Sequence, residues 1–453
     1  MKYRTDTDSL GKVKIPSDAY FGPFTGRAIK QYFVTGTRPH LDLIRAFVMI
    51  KQSAAKANLK SKTLDKRRAD AIVLACKKIL DGQYIEQFVV DAINSGAGTA
   101  LNMNTNEVVA NVALRILGKK KGDYKYLHPN DHVNMSQSSN DTFPTAMHIS
   151  TLLVLNKTTK SINLLINSLL GKSKEFSSFK KIGRTHLMDP LPVTLGSEFR
   201  AYATAITKAN NVLEQSKQQL NLVALGGTAV GNGANTPKGY RKIAITELAR
   251  ASKLSLKPEK DMQFALQSRF AISNASSALR NLAIELSKIS NDIRLMASGP
   301  IAGLAEIEIP TVHAGSSIMP GKVNPSLAEC MNMICSSVIG NDVIVANAAQ
   351  GGQFELNVML PGMIRAMLDS ADMLSNFVPI FSTNLIDGLS ANKNKLREEI
   401  EKSPVIVTLL APQIGYNAAS DLFKLSLKTG KTIRQLVLEK KIMNKKDVDK
   451  IFR

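Results

Sequence analysis

Between residues 261 and 298 the chain contains neither proline nor glycine, and its apolar residues recur at alternating spacings of three and four. Ile272, Ala275, Leu279, Leu282, Leu286, Ile289, Ile293 and Met296 make up the stripe. A repeat of that period puts one continuous apolar seam on a helix. At 1.5 Å of rise per residue, such a helix is on the order of 40 Å long. A small compact domain has no use for that length, so the pattern points to a multi-helix bundle, of a size that suits sharing between subunits.

Further segments repeat the signal. Residues 145–180 carry Ile149, Leu152, Leu153, Leu155, Ile162, Leu165, Ile166 and Leu169, interrupted only by Gly171. Residues 195–225 carry Phe199, Ala203, Ile206 and Leu213, and residues 326–348 are rich in Met, Ile and Val. Strand signals are weak and confined to Tyr20-Phe21 and Phe33-Val34. The expected fold class is therefore all-α. Polar punctuation near residues 134–141, just before Pro144, and near 387–392 divides the chain into three expected domains: 1–137, a central helical domain at 138–390, and a small C-terminal domain at 391–453.

Composition narrows the class. At 453 residues the chain can bury a large core, and no uninterrupted apolar run is long enough to span a bilayer. Residues 1–15 alternate charged and polar groups, unlike a targeting segment. Cys76, Cys330 and Cys335 are too few and too scattered for a disulfide framework or a zinc site, which suits a reduced, cytoplasmic protein. The net charge of +22 suggests either nucleic acid or an anionic small substrate. Lysine runs such as Lys119-Lys120-Lys121 have no interleaved aromatics, and tryptophan is absent, so the small-substrate reading is preferred to nucleic acid.

Polar residues collect where the apolar period breaks. One group is Gly96-Ala97-Gly98-Thr99, followed by Asn102, Asn104, Asn106 and Glu107. Another runs from His128-Pro129-Asn130-Asp131 to Ser136-Gln137-Ser138-Ser139-Asn140-Asp141, and a third is Gly183-Arg184-Thr185-His186. The richest is Gly315-Ser316-Ser317-Ile318-Met319-Pro320-Gly321-Lys322-Val323-Asn324-Pro325. Its proline and glycines exclude a regular helix, so it reads as a loop carrying hydroxyls, a cation and an amide. Each group alone is commonly a turn or a helix cap. Together, hydroxyls, amides and a lysine are what binds a small dicarboxylate, and a histidine moves protons near neutral pH. No Asp/Glu/His grouping has metal-ligand spacing and no glycine-rich phosphate loop occurs, so no metal and no cofactor are expected. That combination points to a lyase or hydratase.

The chain resembles the class II fumarase/aspartase superfamily across nearly its whole length. The blocks that carry the resemblance are residues 315–325, 183–186, Gly226-Gly227-Thr228-Ala229-Val230-Gly231, and 136–143. The resemblance implies a three-domain, all-α subunit with a central bundle of long helices, assembled as a homotetramer whose active sites each draw on three subunits. It implies anti elimination beside a carboxylate, with Ser316 as the base. Ser317, Lys322 and Asn324 would hold substrate carboxylates. His186, paired with Glu329, would be the acid or orienting group, and Thr99, Ser138, Ser139, Asn140 and Thr185 would line the pocket. His128, Asn130 and Asp131 would form a second, peripheral dicarboxylate site.

Within the family the blocks divide. Residues 128–131, Ser139, Gly226-Gly227 and Phe354-Glu355-Leu356-Asn357 look fumarase-like. Ala97, the run at 102–107 and Gln353 look aspartase-like. The balance of these blocks leads to the expectation of a fumarate hydratase interconverting fumarate and malate, with aspartate ammonia-lyase as the alternative.

Overall fold

The computed structural model describes residues 2–312 and 319–452. Sixteen α-helices are present among them. The first four are α1 (Pro23–Gln31), α2 (Leu41–Lys60), α3 (Lys66–Leu80) and α4 (Thr99–Ile116). The middle of the chain holds α5 (Ser139–Glu175), α6 (Leu195–Leu220), α7 (Tyr240–Ser252), α8 (Met262–Gln267), α9 (Phe270–Met296), α10 (Ser326–Gln350) and α11 (Leu360–Phe381). The last are α12 (Lys393–Lys402), α13 (Ala411–Ile414), α14 (Tyr416–Thr429), α15 (Ile433–Glu439) and α16 (Lys445–Phe452). Strands are short and paired: β1 (Tyr3–Asp8) with β2 (Gly11–Pro16), β3 (Lys180–Ile182) with β4 (Pro192–Thr194), β5 (Leu222–Val223) with β6 (Lys257–Pro258), and β7 (Ile307–Glu308) with β8 (Ser390–Ala391).

The heptad stripe is the buried face of α9. All eight of its residues, Ile272 to Met296, are 5% exposed or less. The proline-free run does not form a single helix. Asp261 caps α8 by accepting from Gln263 N and Phe264 N, and Ser268 is extended at φ −92°, ψ 141°. The Ser268 hydroxyl then accepts Phe270 N at 3.2 Å, which starts α9. α5 begins ahead of Pro144 and continues through Gly171, where a Cβ would meet nothing within 4 Å. Pro144 lies near the helix N-terminus, where few backbone N–H bonds are lost. The weak strand signals do not form strands. Phe33 is 84% exposed, and the N-terminal pairing is instead the Tyr3–Asp8 hairpin with Gly11–Pro16, closed by Ser9-Leu10.

The chain divides into two compact units. One comprises Met1–Lys160, Ala209–Ala283 and Ile334–Asn376; the other comprises Ser161–Lys208, Ile284–Met333 and Phe377–Arg453. In the second unit a buried cluster joins Ile182 of β3 to Ile400 of α12, to Ile406, Val407 and Leu410, and to Leu422, Leu436 and Val437 of α14 and α15. That cluster anchors the hairpin carrying His186.

Candidate active site

In the first unit the block at residues 136–143 opens α5. Asp141 is fully buried and accepts from Ser138 N at 3.0 Å, Gly226 N at 2.9 Å and Thr228 N at 3.0 Å. One carboxylate thus fixes the start of α5 and the Gly226-Gly227-Thr228 turn together. Asn140 adds a bond to Ala229 O at 2.9 Å. Burial pushes the Asp141 carboxyl up to about 6, against the pull of its backbone donors.

Thr99, the first residue of α4, lies 3.2 Å from Ser139 through their hydroxyls. Gly98 makes this approach possible. Its φ of +66° lies in the left-handed region, and a Cβ there would overlap the Phe143 ring. Ala97 also has φ +54° and is buried, so the turn preceding Thr99 is held in an uncommon conformation.

The same unit buries Lys51 of α2, a residue not singled out from sequence. Its ammonium is fully buried and donates to Asn102 Oδ1 at 2.7 Å, Asn134 Oδ1 at 2.9 Å and Gln137 Oε1 at 3.0 Å. Burial draws its pKa down to about 7. The only signal for it in sequence is a charge inside an apolar helix run. The polar run at 102–107 lies within α4 and is largely absorbed by packing. Asn104 bonds Val89 N and Gln87 O, and Glu107 caps α1 through Gly22 N, Phe24 N and Thr25 N.

Thr99 shares a cavity of ≈ 580 Å³ with Glu107, Tyr124, His128 and Asn130. His128 Nδ1 accepts from Asn130 N at 3.2 Å and Asp131 N at 3.3 Å. Asp131 is exposed and does not line the cavity.

In the second unit Thr185 and His186 occupy the tip of a long hairpin. β3 pairs with β4, Gly183 N donates to Leu191 O at 2.9 Å, and Thr185 and Met188 exchange bonds at 3.1 and 2.9 Å. The two tip residues, His186 and Leu187, have φ +53° and +60°. This is the geometry of a two-residue type I′ turn, which normally takes Asn or Gly. Two non-glycine residues there cost about 1–3 kcal/mol each, strain that the surrounding structure must hold. Thr185 and His186 are both exposed.

Lys322 is exposed beyond Gly321, whose φ is +79°, and Asn324 is half-buried just before α10. Glu329, in the first turn of α10, lies 4.0 Å from Arg294, and both side chains are exposed by 41% or more. Among the described residues of this single chain, His186 makes no side-chain hydrogen bond, and the ion pair seen for Glu329 is the one with Arg294. Ser316 and Ser317 lie outside the described residues. Each unit therefore carries part of the expected set: Thr99, Ser138, Ser139, Asn140, His128, Asn130 and Asp131 in one, and Thr185, His186, Lys322, Asn324 and Glu329 in the other.

Comparison with known proteins places this arrangement. A family model described as "Lyase" matches residues 11–340, and one described as "Fumarase C C-terminus" matches residues 406–453. An aspartate ammonia-lyase of Bacillus subtilis is 43% identical over 451 residues, covering 100% of this chain and 95% of that protein. The chain belongs to the class II fumarase/aspartase superfamily. An aspartate ammonia-lyase of Escherichia coli is 41% identical, covering 99% of this chain and 95% of that protein. Among solved structures, a fumarate lyase:delta crystallin from Brucella melitensis, bound to cobalt, superimposes with a TM-score of 0.97 at 41% identity, covering 100% and 98% of the two chains. A class II fumarase from Schistosoma mansoni gives 0.95 at 34% identity, again over 100% and 98%. The all-α architecture with long central helices is that of the fumarase/aspartase fold, and the chain is a lyase of this superfamily.

Proposed function

We propose that the chain is an aspartate ammonia-lyase, converting L-aspartate to fumarate and ammonia. The observation that carries this reading is full-length identity of 41–43% to curated relatives named aspartate ammonia-lyase. It reverses the balance struck from the sequence blocks, which led to fumarate hydratase. Ala97 supports the change: its buried methyl stands where fumarases usually carry a serine hydroxyl. Ser139 and the likeness to a Schistosoma mansoni fumarase keep hydration as the second reading.

In the proposed reaction Ser316, as an alkoxide, takes a C3 proton, and the electron pair moves into the adjacent carboxylate. The resulting aci-carboxylate collapses to the double bond as the C2–N bond breaks and ammonia leaves with the bonding pair. Ser317, Lys322 and Asn324 bind that carboxylate and stabilise its developing charge. Thr99, Ser138, Ser139, Asn140 and Thr185 hydrogen-bond the rest of the substrate, and His186, paired with Glu329, is the acid or orienting group. The peripheral role of His128, Asn130 and Asp131 belongs to the same reading, as do the domain division at 137/138 and 390/391 and the cytoplasmic location.

The proposed assembly is a homotetramer with sites built from three subunits. α10 supports it: Met333 is 65% exposed, Val343 57% and Ile344 49%, although this helix is strongly apolar. Exposed apolar surface on a long helix is what a subunit core would cover. The test is product identity. Fumarate incubated with ammonium and purified protein, followed by proton NMR, should yield aspartate. Malate as the sole product would overturn the proposal in favour of hydration.

A further inference from the structure

Glu306 is fully buried and carries no role among the residues named above. Its two carboxylate oxygens are each taken by a different cation. Oε2 lies 2.6 Å from Lys181 Nζ, and Oε1 lies 2.6 Å from Arg184 Nη1. Lys181 is 2% exposed and also reaches Glu198 of α6 at 3.0 Å. Arg184 also reaches Glu399 of α12 at 3.2 Å. Burial, set against Lys181, raises the Glu198 pKa; burial and then Glu306 raise that of Glu399. Glu306 is thus the one completely enclosed carboxylate of this network, and removing it would leave two cations short of a partner.

Its place in the chain gives the network a purpose. Lys181 is in β3, and Arg184 stands two residues before His186 on the strained hairpin. The other shoulder of that hairpin is held at Asp189, which accepts from the Ser403 hydroxyl at 2.8 Å. Through its backbone, Glu306 donates from its N–H to Met296 O at 2.8 Å and accepts at its carbonyl from Asn392 N at 2.9 Å. It immediately precedes β7, which pairs with β8, and in sequence it lies at the head of the segment leading to residues 315–325. One carboxylate therefore ties the histidine turn to the root of the segment bearing the proposed base.

We propose that Glu306 is a positioning residue, which clamps the His186 hairpin to the strand leading into the Ser316 block. The catalytic half of this inference rests on the proposed roles of His186 and Ser316; the clamp itself does not. A bridging carboxylate at this point fixes two elements with charge-assisted bonds that a neutral amide cannot replace.

The test uses the full-length protein with Glu306→Gln and, because that variant risks misfolding, Arg184→Lys. Two readouts are taken. For Glu306→Gln, kcat on whichever substrate the wild type turns over should fall by about 10–100-fold, the cost of a misplaced catalytic group, with KM changed less. Amide hydrogen exchange should rise in peptides covering residues 183–189 and 307–312 while residues 240–252 keep wild-type protection. Arg184→Lys, which keeps charge but loses the two-way fork, should raise exchange at 183–189 alone. Glu306→Asp should recover part of kcat. Wild-type kcat in Glu306→Gln, unchanged exchange at the two segments, or exchange raised evenly along the chain would each overturn the proposal. Exchange needs no substrate, so a wild type that fails to deaminate aspartate would defeat the proposed function and leave the clamp still measurable.

Discussion

At position 98 the chain requires glycine, because the backbone is left-handed and the Phe143 ring occupies the space of a Cβ. Gly98→Ala should destabilise the fold by about 2–5 kcal/mol, summing backbone strain and overpacking, as read by chemical denaturation. A loss below about 1 kcal/mol would mean that the Phe143 ring does not fill the space of a Cβ at position 98. Lys51 gives a pH prediction. The unfolded chain holds this proton up to the ordinary lysine value of 10.5, whereas the folded chain releases it at about 7. The unfolded state then binds more protons between those limits, so this group makes stability rise with pH across that window. The Asp141 carboxylate is the charge that opposes its deprotonation. Lys51→Met should lack this component of the rise between pH 7 and 10 in denaturation midpoints measured against wild type. Ser316→Ala should lower turnover by orders of magnitude with the assembly intact. The residues of the quoted blocks were legible because loops carrying hydroxyls and amides interrupt an apolar period. Lys51 and Glu306 were not, because a single charge in an apolar run looks the same whether it snorkels to solvent or is enclosed by distant partners.

At the scale of elements, the long helices were legible wherever burial is one-sided. The stripe on α9 shows this, and Leu286→Ala, at a site 0% exposed, should cost about 2–5 kcal/mol in a denaturation experiment. The break before α9 was hidden because a serine hydroxyl makes it, without glycine or proline. The hairpin at residues 180–194 was hidden for a different reason. Its tip uses His186 and Leu187 where turn chemistry leads one to look for Asn-Gly, and its ends are held by ion pairs between residues far apart in sequence. Leu187→Gly should relieve left-handed strain and raise stability by about 0.5–1 kcal/mol, the remainder after the entropy cost of glycine. A loss of stability would show that the exposed leucine is anchored by something other than this turn.

At the scale of the molecule, the exposed apolar face of α10 belongs with the proposed tetramer. Met333→Lys combined with Val343→Lys should lower the sedimentation coefficient to that of smaller species and abolish turnover together. An active, dissociated variant would exclude sites shared between subunits. The superfamily was legible because several separated blocks occur in one order along the whole chain. The leaving group was not, because hydration and deamination share the loop, the base and the carboxylate clamp, and differ through contacts worth about 1–3 kcal/mol each. The most direct measurement is therefore kcat/KM for L-aspartate and for L-malate on the same purified protein, followed by fumarate absorbance with ammonia determined in parallel. L-aspartate turned over with one ammonia per fumarate, and L-malate turned over far more slowly or not at all, is the expected result; fumarate formed from L-malate with no ammonia released from L-aspartate would contradict it.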